Sequence, residues 1–395
     1  MSEAPKLSIC VPSRNRQETF RQTIVDLIGN PRADVEFVFA DNSDDPSVMN
    51  GFMAGIDDRR IRYLPSGDRI LSMMDNWERT VATATGEWIC VIGDDDYIDP
   101  DIVDLIVTIE DRAKAVDAIA WNRAAFQWTD ARSEMRSVTI SLANRIVRTP
   151  RNAVMDRLFG WLGATHVPLC PYGIYHAAVH RDALQRVRTK FSGRCFEHPV
   201  VDYDFSHKLV TSADNFIYID RPMSVLGVCA ESNSAAVGNA KAFEVTKSAY
   251  LAENGDEFET ATVANGFPFT VSTGVAGSIM AAQQWFKRKY GYGFEGWQGN
   301  FIRAVTNECK LWTDPDDYRR NVEICRMAFS LWENGKYAGH FNPTYAKPAS
   351  DLSYLGVNRK NVSINQEIAG VGTPAELYAI IKQILPEFPD ISVEL

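Results

Sequence analysis

Short apolar runs alternate with helical patterns over the first 117 residues, and this alternation limits the folds open to the chain. Runs rich in β-branched and aromatic residues predict four buried strands, at residues 7–12, 35–40, 61–64 and 87–92. Apolar residues at helical spacing predict helices at residues 17–28, 73–84 and 101–115. Strands and helices at this spacing form βαβ units, so the sequence predicts an α/β domain with a mainly parallel sheet and flanking helices.

Three consecutive acids, Asp94, Asp95 and Asp96, directly follow the apolar run of residues 88–92. Carboxylates at the end of a buried strand repel one another and lose hydration. A divalent cation that itself holds a diphosphate would offset that repulsion. The alternative is a solvated surface turn, because runs of acids are common at protein surfaces.

Polar groups follow three of the predicted strands. They are residues 13–16, Asp41 and the acid triplet at residues 94–96. Ligands of parallel sheets bind beyond the carboxyl ends of the strands, so these groups are expected to converge at one edge. The sequence therefore predicts a metal-dependent enzyme that uses a nucleotide.

The character of the chain changes near residue 238. Up to that point strand-like and helical segments continue, including strand-rich residues 118–150 and a helix predicted at residues 199–210. Beyond it the pattern is amphipathic and helical, with candidate helices near residues 241–253, 274–290, 297–312, 315–333 and 374–385. We therefore expect an α/β domain over residues 1–237, with a nucleotide-binding half at 1–117 and an acceptor half at 118–237. A mostly helical C-terminal region of unknown role is expected over residues 238–395.

Composition excludes several classes of function. The net charge is −10, and residues 1–117 hold 23 acids against 12 bases, so no broad basic face is available for general nucleic-acid binding. The seven cysteines are scattered without a C-x-x-C pair, which argues against a zinc cluster and a disulfide framework. No signal peptide and no apolar run of about 18 residues is present. A cytoplasmic protein is expected. Peripheral contact with the inner face of a membrane and homo-oligomerisation are left open.

The strand-end segments closely resemble those of a known family. Residues 7–16 (LSICVPSRNR), 39–45 (FADNSDD) and 86–100 (GEWICVIGDDDYIDP) match, in order and spacing, the opening of family-2 glycosyltransferases with the GT-A fold. The resemblance covers about residues 5–230 and is strongest over the first 110. It implies a Rossmann-like sheet, a nucleotide-diphosphate-sugar donor, a Mn²⁺ or Mg²⁺ ion and inversion at the anomeric carbon.

The resemblance also assigns roles on the donor side. Pro12, Ser13 and Arg16 are expected beside the nucleoside, and Asp41 is expected to bond its base, typically uracil. The alternative for Asp41 is a turn residue that bonds its own backbone.

Two further residues are expected to contact donor phosphate or ribose. These are Arg69 and Asn76, for which an exposed loop and an exposed helix position are the alternatives. Asp95 is the favoured metal ligand and Asp94 is placed nearer the ribose. In one register the family's first acid is Gly93 here, so the choice among Asp94, Asp95 and Asp96 stays open.

A second acidic segment, Asp202-Tyr203-Asp204, resembles the family's later motif at the start of a helix under the acceptor. Transfer with inversion needs a carboxylate near the acceptor hydroxyl. The resemblance makes Asp202 the catalytic base, with Asp204 as second choice. Val201 stands where the family has a glutamate, and Glu197 could supply that charge. The alternative is that these acids only complement a helix dipole.

The most consistent interpretation is an inverting glycosyltransferase that moves a sugar from a UDP-sugar or similar donor to an acceptor hydroxyl. A glycan or glycolipid acceptor in polysaccharide biosynthesis is expected by analogy. A sugar-phosphate nucleotidyltransferase is the first alternative, although the loop at residues 12–16 lacks the glycines that cradle a triphosphate. A non-catalytic glycan-binding protein that retains the fold is the second.

Overall fold

The computed structural model describes residues 4–131, 137–232, 238–345, 355–367, 369–388 and 392–395. Its strands, numbered β1 to β13 in order, are Leu7–Ser13, Val35–Asp41, Ile61–Leu64, Trp88–Val91, Tyr97–Ile98, Ala118–Gln127, Ser137–Ser141, Arg145–Thr149, Ala177–His180, Phe216–Val228, Gly356–Val357, Asn361–Asn365 and Ser392–Glu394. Its α-helices, α1 to α13, are Gln17–Ile28, Ser47–Met53, Met73–Thr83, Ile102–Arg112, Arg151–Leu158, Arg181–Lys190, Val201–Ser212, Ala240–Asn254, Glu257–Ala264, Val275–Tyr290, Gln298–Glu308, Pro315–Leu331 and Pro374–Ile384.

Most strands of the first half of the chain belong to one large sheet. Its order is β13-β8-β10-β6-β9-β4-β1-β2-β3, with β5 paired to β10. The strands β4, β1, β2 and β3 are parallel, β6 is parallel to β10, and β9 runs antiparallel between β4 and β6. The predicted α/β class with a largely parallel sheet and flanking helices is therefore confirmed.

Both faces of this sheet are buried, which explains the continuous apolar runs in its strands. On one face Leu7, Ile9 and Val11 of β1 pack with Phe20 of α1. On the other face, Cys10 of β1 and Ile89 of β4 pack in a cluster with residues of α6 and α7. Because β1, β2 and β4 are parallel, their carboxyl ends lie at one edge of the sheet, where the polar groups were expected.

The predicted helical character of the C-terminal region is confirmed up to residue 341. An aromatic core holds this part together, with rings from α11, α12 and the segments around them, namely Phe267, Phe269, Trp297, Phe301, Phe329, Trp332 and Phe341. Beyond it the chain returns to the first half: β12 pairs with β7, and β13 pairs with β8. The boundary near residue 238 stays a prediction, and the adjacent residues 233–237 lie outside the described ranges.

Several elements were not apparent in the sequence. The main ones are α2, the pair β9–α6, α9 and the strands after residue 355. The strand β10 continues past Pro222 to Val228, because a register shift around this proline carries the strand past a residue that cannot donate to the ladder. Among the described residues, every helix is too short or too polar to span a bilayer.

The buried helix α7 contains an imidazole to which no described residue gives a hydrogen bond. His207 is fully buried, neither ring nitrogen has a partner among the residues that the structure describes, and the ring packs against Phe159 and Phe286. Burial, with the nearby Lys208, lowers the pKa of His207 to about 3. An unfolded chain takes up that proton near pH 6.5, so below pH 6.5 only the unfolded state binds it and the free energy of unfolding falls.

We expect His207→Phe to stabilise the protein by about 1 kcal/mol at pH 7.5, since it removes two unsatisfied buried nitrogens. The advantage should widen by about 1.4 kcal/mol for each pH unit below 6.5. Urea unfolding at pH 7.5, 6.0 and 5.0 measures both terms, with the exposed His340→Gln as control. A gap that does not change with pH would contradict the assignment of a neutral buried imidazole.

Candidate active site

The three acids of the sequence lie in a buried turn at the carboxyl end of β4. This turn, residues 93–96, is called the acid turn below. Asp94, Asp95 and Asp96 are 0%, 4% and 1% exposed, so they do not form a solvated surface turn. The hydroxyl of Thr23 in α1 donates to the Asp94 carbonyl at 2.9 Å, and Trp128 Nε1 donates to the Asp95 carbonyl at 2.9 Å. The turn is therefore held by a side chain of α1 and by one that directly follows β6.

Glycine at position 93 has a steric reason. A Cβ there would lie 2.9 Å from both Asp95 Oδ1 and Asp96 Oδ2, which fold back over the Gly93 backbone. A side chain, acidic or otherwise, would displace these carboxylates. The departure from the family pattern is thus part of how this turn packs.

Asp96 is fully engaged by the protein. Its Oδ2 accepts from the Gly93 N–H at 2.7 Å and the Tyr175 hydroxyl at 2.7 Å, and it lies 2.8 Å from His176 Nε2. Its Oδ1 accepts from the Gly227 N–H at 2.7 Å. Burial alone would raise the pKa of Asp96, but His176, Tyr175 and the Gly227 N–H outweigh burial and lower it. Asp96 thus ties the acid turn to β10 and to the segment before β9.

Asp94 and Asp95 face a different set of partners. Ser13 Oγ donates to Asp94 Oδ2 at 2.6 Å, and Arg16 Nη2 lies 2.5 Å from Asp94 Oδ1. Arg16 Nη1 donates to Asp95 Oδ2 at 3.2 Å, and the same oxygen accepts from the Ser232 hydroxyl. One guanidinium therefore bridges the two carboxylates.

The charges of this cluster are strongly linked. Burial and the neighbouring Asp95 raise the pKa of Asp94 to about 7, although Arg16 acts against them. Burial and Asp96 raise the pKa of Asp95. Burial works against the guanidinium of Arg16, but Asp94 and Asp95 raise its pKa overall. A nearby positive charge thus stabilises the ionised forms of Asp94 and Asp95, and Arg16 supplies that charge in this structure.

The other predicted donor-side residues are spread along the same edge. Pro12 is buried at the end of β1, and Asn76 of α3 donates to the Ser13 carbonyl at 3.4 Å. Asp41 Oδ1 accepts from the N–H and hydroxyl of Ser43, as in a self-bonded turn, while its buried Oδ2 has no hydrogen-bond partner. Arg69 is exposed, and within the described ranges it makes no hydrogen bond or ion pair.

Asp202 lies in the first turn of α7 as a half-buried carboxylate whose Oδ1 accepts the Tyr203 N–H at 2.9 Å. Burial raises the pKa of Asp202. The segment before β9 connects it to the acid turn: Tyr175 bonds Asp96, while Gly173 packs on α7. A Cβ at Gly173 would lie 2.6 Å from Ser206 Oγ and 3.8 Å from the Asp202 carbonyl. Residues 173–175 therefore contact both the start of α7 and the acid turn.

Asp204 has a different environment. It is 1% exposed, and its Oδ2 accepts from the N–H groups of Glu197 and His198 at 2.6 and 3.1 Å and from Lys208 Nζ at 3.0 Å. Glu197 pairs with Lys208 at 2.9 Å and with Lys289 at 2.6 Å. Asp204 and Glu197 thus belong to an internal ion-pair network. Asp202 is not part of the ion pairs described for that network.

The acid turn offers hard oxygen ligands to a divalent cation. Among the described residues no three side chains of His, Cys, Asp or Glu converge as a ready-made metal site. Mg²⁺ and Mn²⁺ are commonly held by one or two carboxylates together with substrate phosphates and water. Asp95 and Asp94, which already share one cationic group, fit such an ion, whereas both oxygens of Asp96 are taken by protein donors.

Sequence reasoning missed the residues that fix the acid turn from a distance. Tyr175, His176, Trp128 and Ser232 lie 33 to 137 positions from their partners in the turn. The glycine at position 227 is a sequence signal of such a contact. A Cβ there would lie 1.7 Å from the Asp95 carbonyl, so β10 can approach the acid turn only with glycine at this position.

The comparisons with known proteins agree with the predicted family. Residues 8–161 match the sequence profile of glycosyl transferase family 2. None of the curated proteins searched matches the chain.

Solved structures similar to the chain include two glycosyltransferases. One is S. aureus TarS 1-349 in complex with UDP-GlcNAc, at 13% identity and a TM-score of 0.43, covering 85% of this chain and 89% of that one. The other is the mannosyltransferase PcManGT from Pyrobaculum calidifontis in complex with GDP-Man and Mn²⁺, at 14% identity and a TM-score of 0.41, covering 85% and 88%. The motifs, the buried acid turn and the profile agree, and residues 8–161 form a glycosyl transferase family 2 domain.

Proposed function

We propose that this glycosyltransferase is an inverting, metal-assisted enzyme that moves a sugar from a nucleotide-diphosphate sugar, with UDP as the expected nucleotide, to an acceptor hydroxyl. The observation that carries the proposal is the pair of buried carboxylates, Asp94 and Asp95, that share the guanidinium of Arg16. The segment 173–175 connects their turn to the start of α7, where the half-buried carboxylate of Asp202 lies. The donor diphosphate would occupy the first of these positions and the acceptor the second.

On the donor side, the ends of β1 and β2 and the start of α3 would surround the nucleoside. Ser13, Asn76 and the unbonded Oδ2 of Asp41 are the polar groups available there. Asp95 and Asp94 would hold the divalent ion, which when bound neutralises negative charge on the departing diphosphate. Arg16 is placed to exchange its partners from the two acids to donor phosphate oxygens, since guanidinium binds either with bidentate geometry.

On the acceptor side, Asp202 would act as the base. It accepts the proton of the attacking hydroxyl while the new oxygen–carbon bond forms and the bond from the anomeric carbon to the diphosphate oxygen breaks. Because attack comes from the face opposite the leaving group, the configuration inverts. The raised pKa of Asp202 strengthens its carboxylate as a base at neutral pH.

A donor screen tests this function. We expect one of the UDP-, GDP- or dTDP-sugars, with Mn²⁺ or Mg²⁺, to release its nucleotide in the presence of the enzyme. Asp95→Asn should lower that release about 10²-fold, because the charge that holds the ion is lost while the shape is kept.

The exposed Asp45→Asn is the matched control and should retain full activity. Calorimetry of Mn²⁺ binding in the presence of UDP should show the same loss in Asp95→Asn only. Equal release by wild type and Asp95→Asn would contradict a metal role for the acid turn.

A further inference from the structure

Neither the motifs nor the family match singles out Arg123, an arginine of β6 that lies near the segment 173–175. Arg123 is exposed on β6, opposite Ser224 of the neighbouring β10. The antiparallel pairing of β6 with β9, in which Ala120 lies opposite Ala177, puts the residues after Ala120 beside the segment that contains Tyr175. Arg123 therefore stands between the acid turn and the start of α7.

The side chain of Arg123 has no counter-ion. In the part of the chain that the structure describes, no carboxylate lies within ion-pair distance of it and no acceptor bonds it. The acid turn does not need Arg123, because Arg16 already bridges Asp94 and Asp95.

The charge of Arg123 is directed towards the acceptor side. Burial raises the pKa values of Tyr175, Asp202, Tyr203 and Tyr218, and in each case the positive charge of Arg123 acts in the opposite direction. The guanidinium thus acts on the expected base, Asp202, and on three tyrosines, of which Tyr203 is on α7 and Tyr218 is on β10.

A second arginine continues this surface. Arg157, at the end of α5, is exposed and is likewise without a described ion pair or hydrogen bond. Its charge acts on Tyr172 and on Tyr218, the tyrosine that Arg123 also affects. The charges of both guanidinium groups therefore act on Tyr218.

We infer that the acceptor carries an oxyanion, a phosphate or carboxylate group, which Arg123 binds next to the reacting hydroxyl, with Arg157 available to a second such group. The inference rests on the proposed function, since it concerns the acceptor of that reaction. Guanidinium pairs with these anions through two parallel hydrogen bonds, which would orient the acceptor as well as hold it.

Binding of small probes tests the inference without requiring turnover. The enzyme is first saturated with UDP and Mn²⁺, so that added anions do not enter the acid turn. Glycerol 3-phosphate, glycerate and glycerol are then titrated by calorimetry or ligand-observed NMR. We expect at least one of the two anions to bind about tenfold more tightly than glycerol.

Arg123→Gln should remove that preference, Arg157→Gln should leave it for these single-charged-group probes, and the exposed Arg326→Gln of α12 should leave it unchanged. Tighter binding of glycerol 3-phosphate than of glycerate would identify the acceptor group as a phosphate, and the reverse order would identify it as a carboxylate. No preference for either anion in the wild type, or a preference that survives in Arg123→Gln, would overturn the inference. Failure of the proposed function would appear instead in the donor screen, as absence of nucleotide release.

Discussion

Replacing Asp202 by asparagine is expected to lower kcat for sugar transfer about 10³-fold, with donor binding unchanged. Asparagine keeps the shape of the side chain and can still accept the Tyr203 N–H, which the wild-type carboxylate does at 2.9 Å. The amide cannot take the proton that an attacking hydroxyl must lose. The loss should therefore fall on the chemical step alone.

The dependence of the rate on pH provides a second signature of this base. Burial raises the pKa of Asp202, and only the deprotonated form can accept a proton, so the wild-type rate should fall as the pH is lowered through that raised pKa. The residual activity of Asp202→Asn should lack this limb. Initial rates of nucleotide release between pH 4.5 and about 8 separate the two cases.

Asp214→Asn is a matched control, because Asp214 lies just beyond the same helix and its side chain is 81% exposed. It should keep wild-type kcat and pH profile. Calorimetric donor affinity and the thermal midpoint should be the same in all three proteins. If Asp202→Asn kept roughly a tenth or more of kcat, another group would have to be the base.

The edge at which the site lies follows from local sequence, but the way its acids are held does not. Parallel strands end together, so the convergence of Ser13, Asp41 and the acid turn could be predicted from the βαβ pattern alone. The sorting of the acids depends on distant partners: Tyr175 and His176 bind Asp96, and Arg16 takes the other two. No local pattern at residues 94–96 distinguishes these fates.

The same limit applies to the fold. The helices α10 and α12 are long and amphipathic, and their patterns predicted them well. The strands β12 and β13 are short and half-exposed, and they exist only because β7 and β8 of the first half offer edges to pair with. Pairing between segments more than 200 residues apart leaves no periodic signal in either one.

The two acids of the later motif are expected to differ in kind: Asp204→Ala should affect stability rather than chemistry. It removes an acceptor from Lys208, which is fully buried, and from the N–H groups of Glu197 and His198. Leaving a buried ammonium group and two N–H donors short of a partner should lower the free energy of unfolding by about 3 kcal/mol. Glu197, at 2.9 Å from Lys208 Nζ, limits the loss.

The double variant Asp204→Leu with Lys208→Met distinguishes an ion-pair role from a catalytic one. Both charges are removed together, so the part of the loss that arises from the unpaired Lys208 should be regained, and the variant should be more stable than Asp204→Ala in urea unfolding. Measured at a temperature where each variant is folded, kcat should stay within about threefold of wild type, against about 10³-fold for Asp202→Asn. A fall in kcat of that size in a folded Asp204 variant would instead make Asp204 the base, because loss of the ion pair alone acts on the folded fraction and not on the rate of each folded molecule.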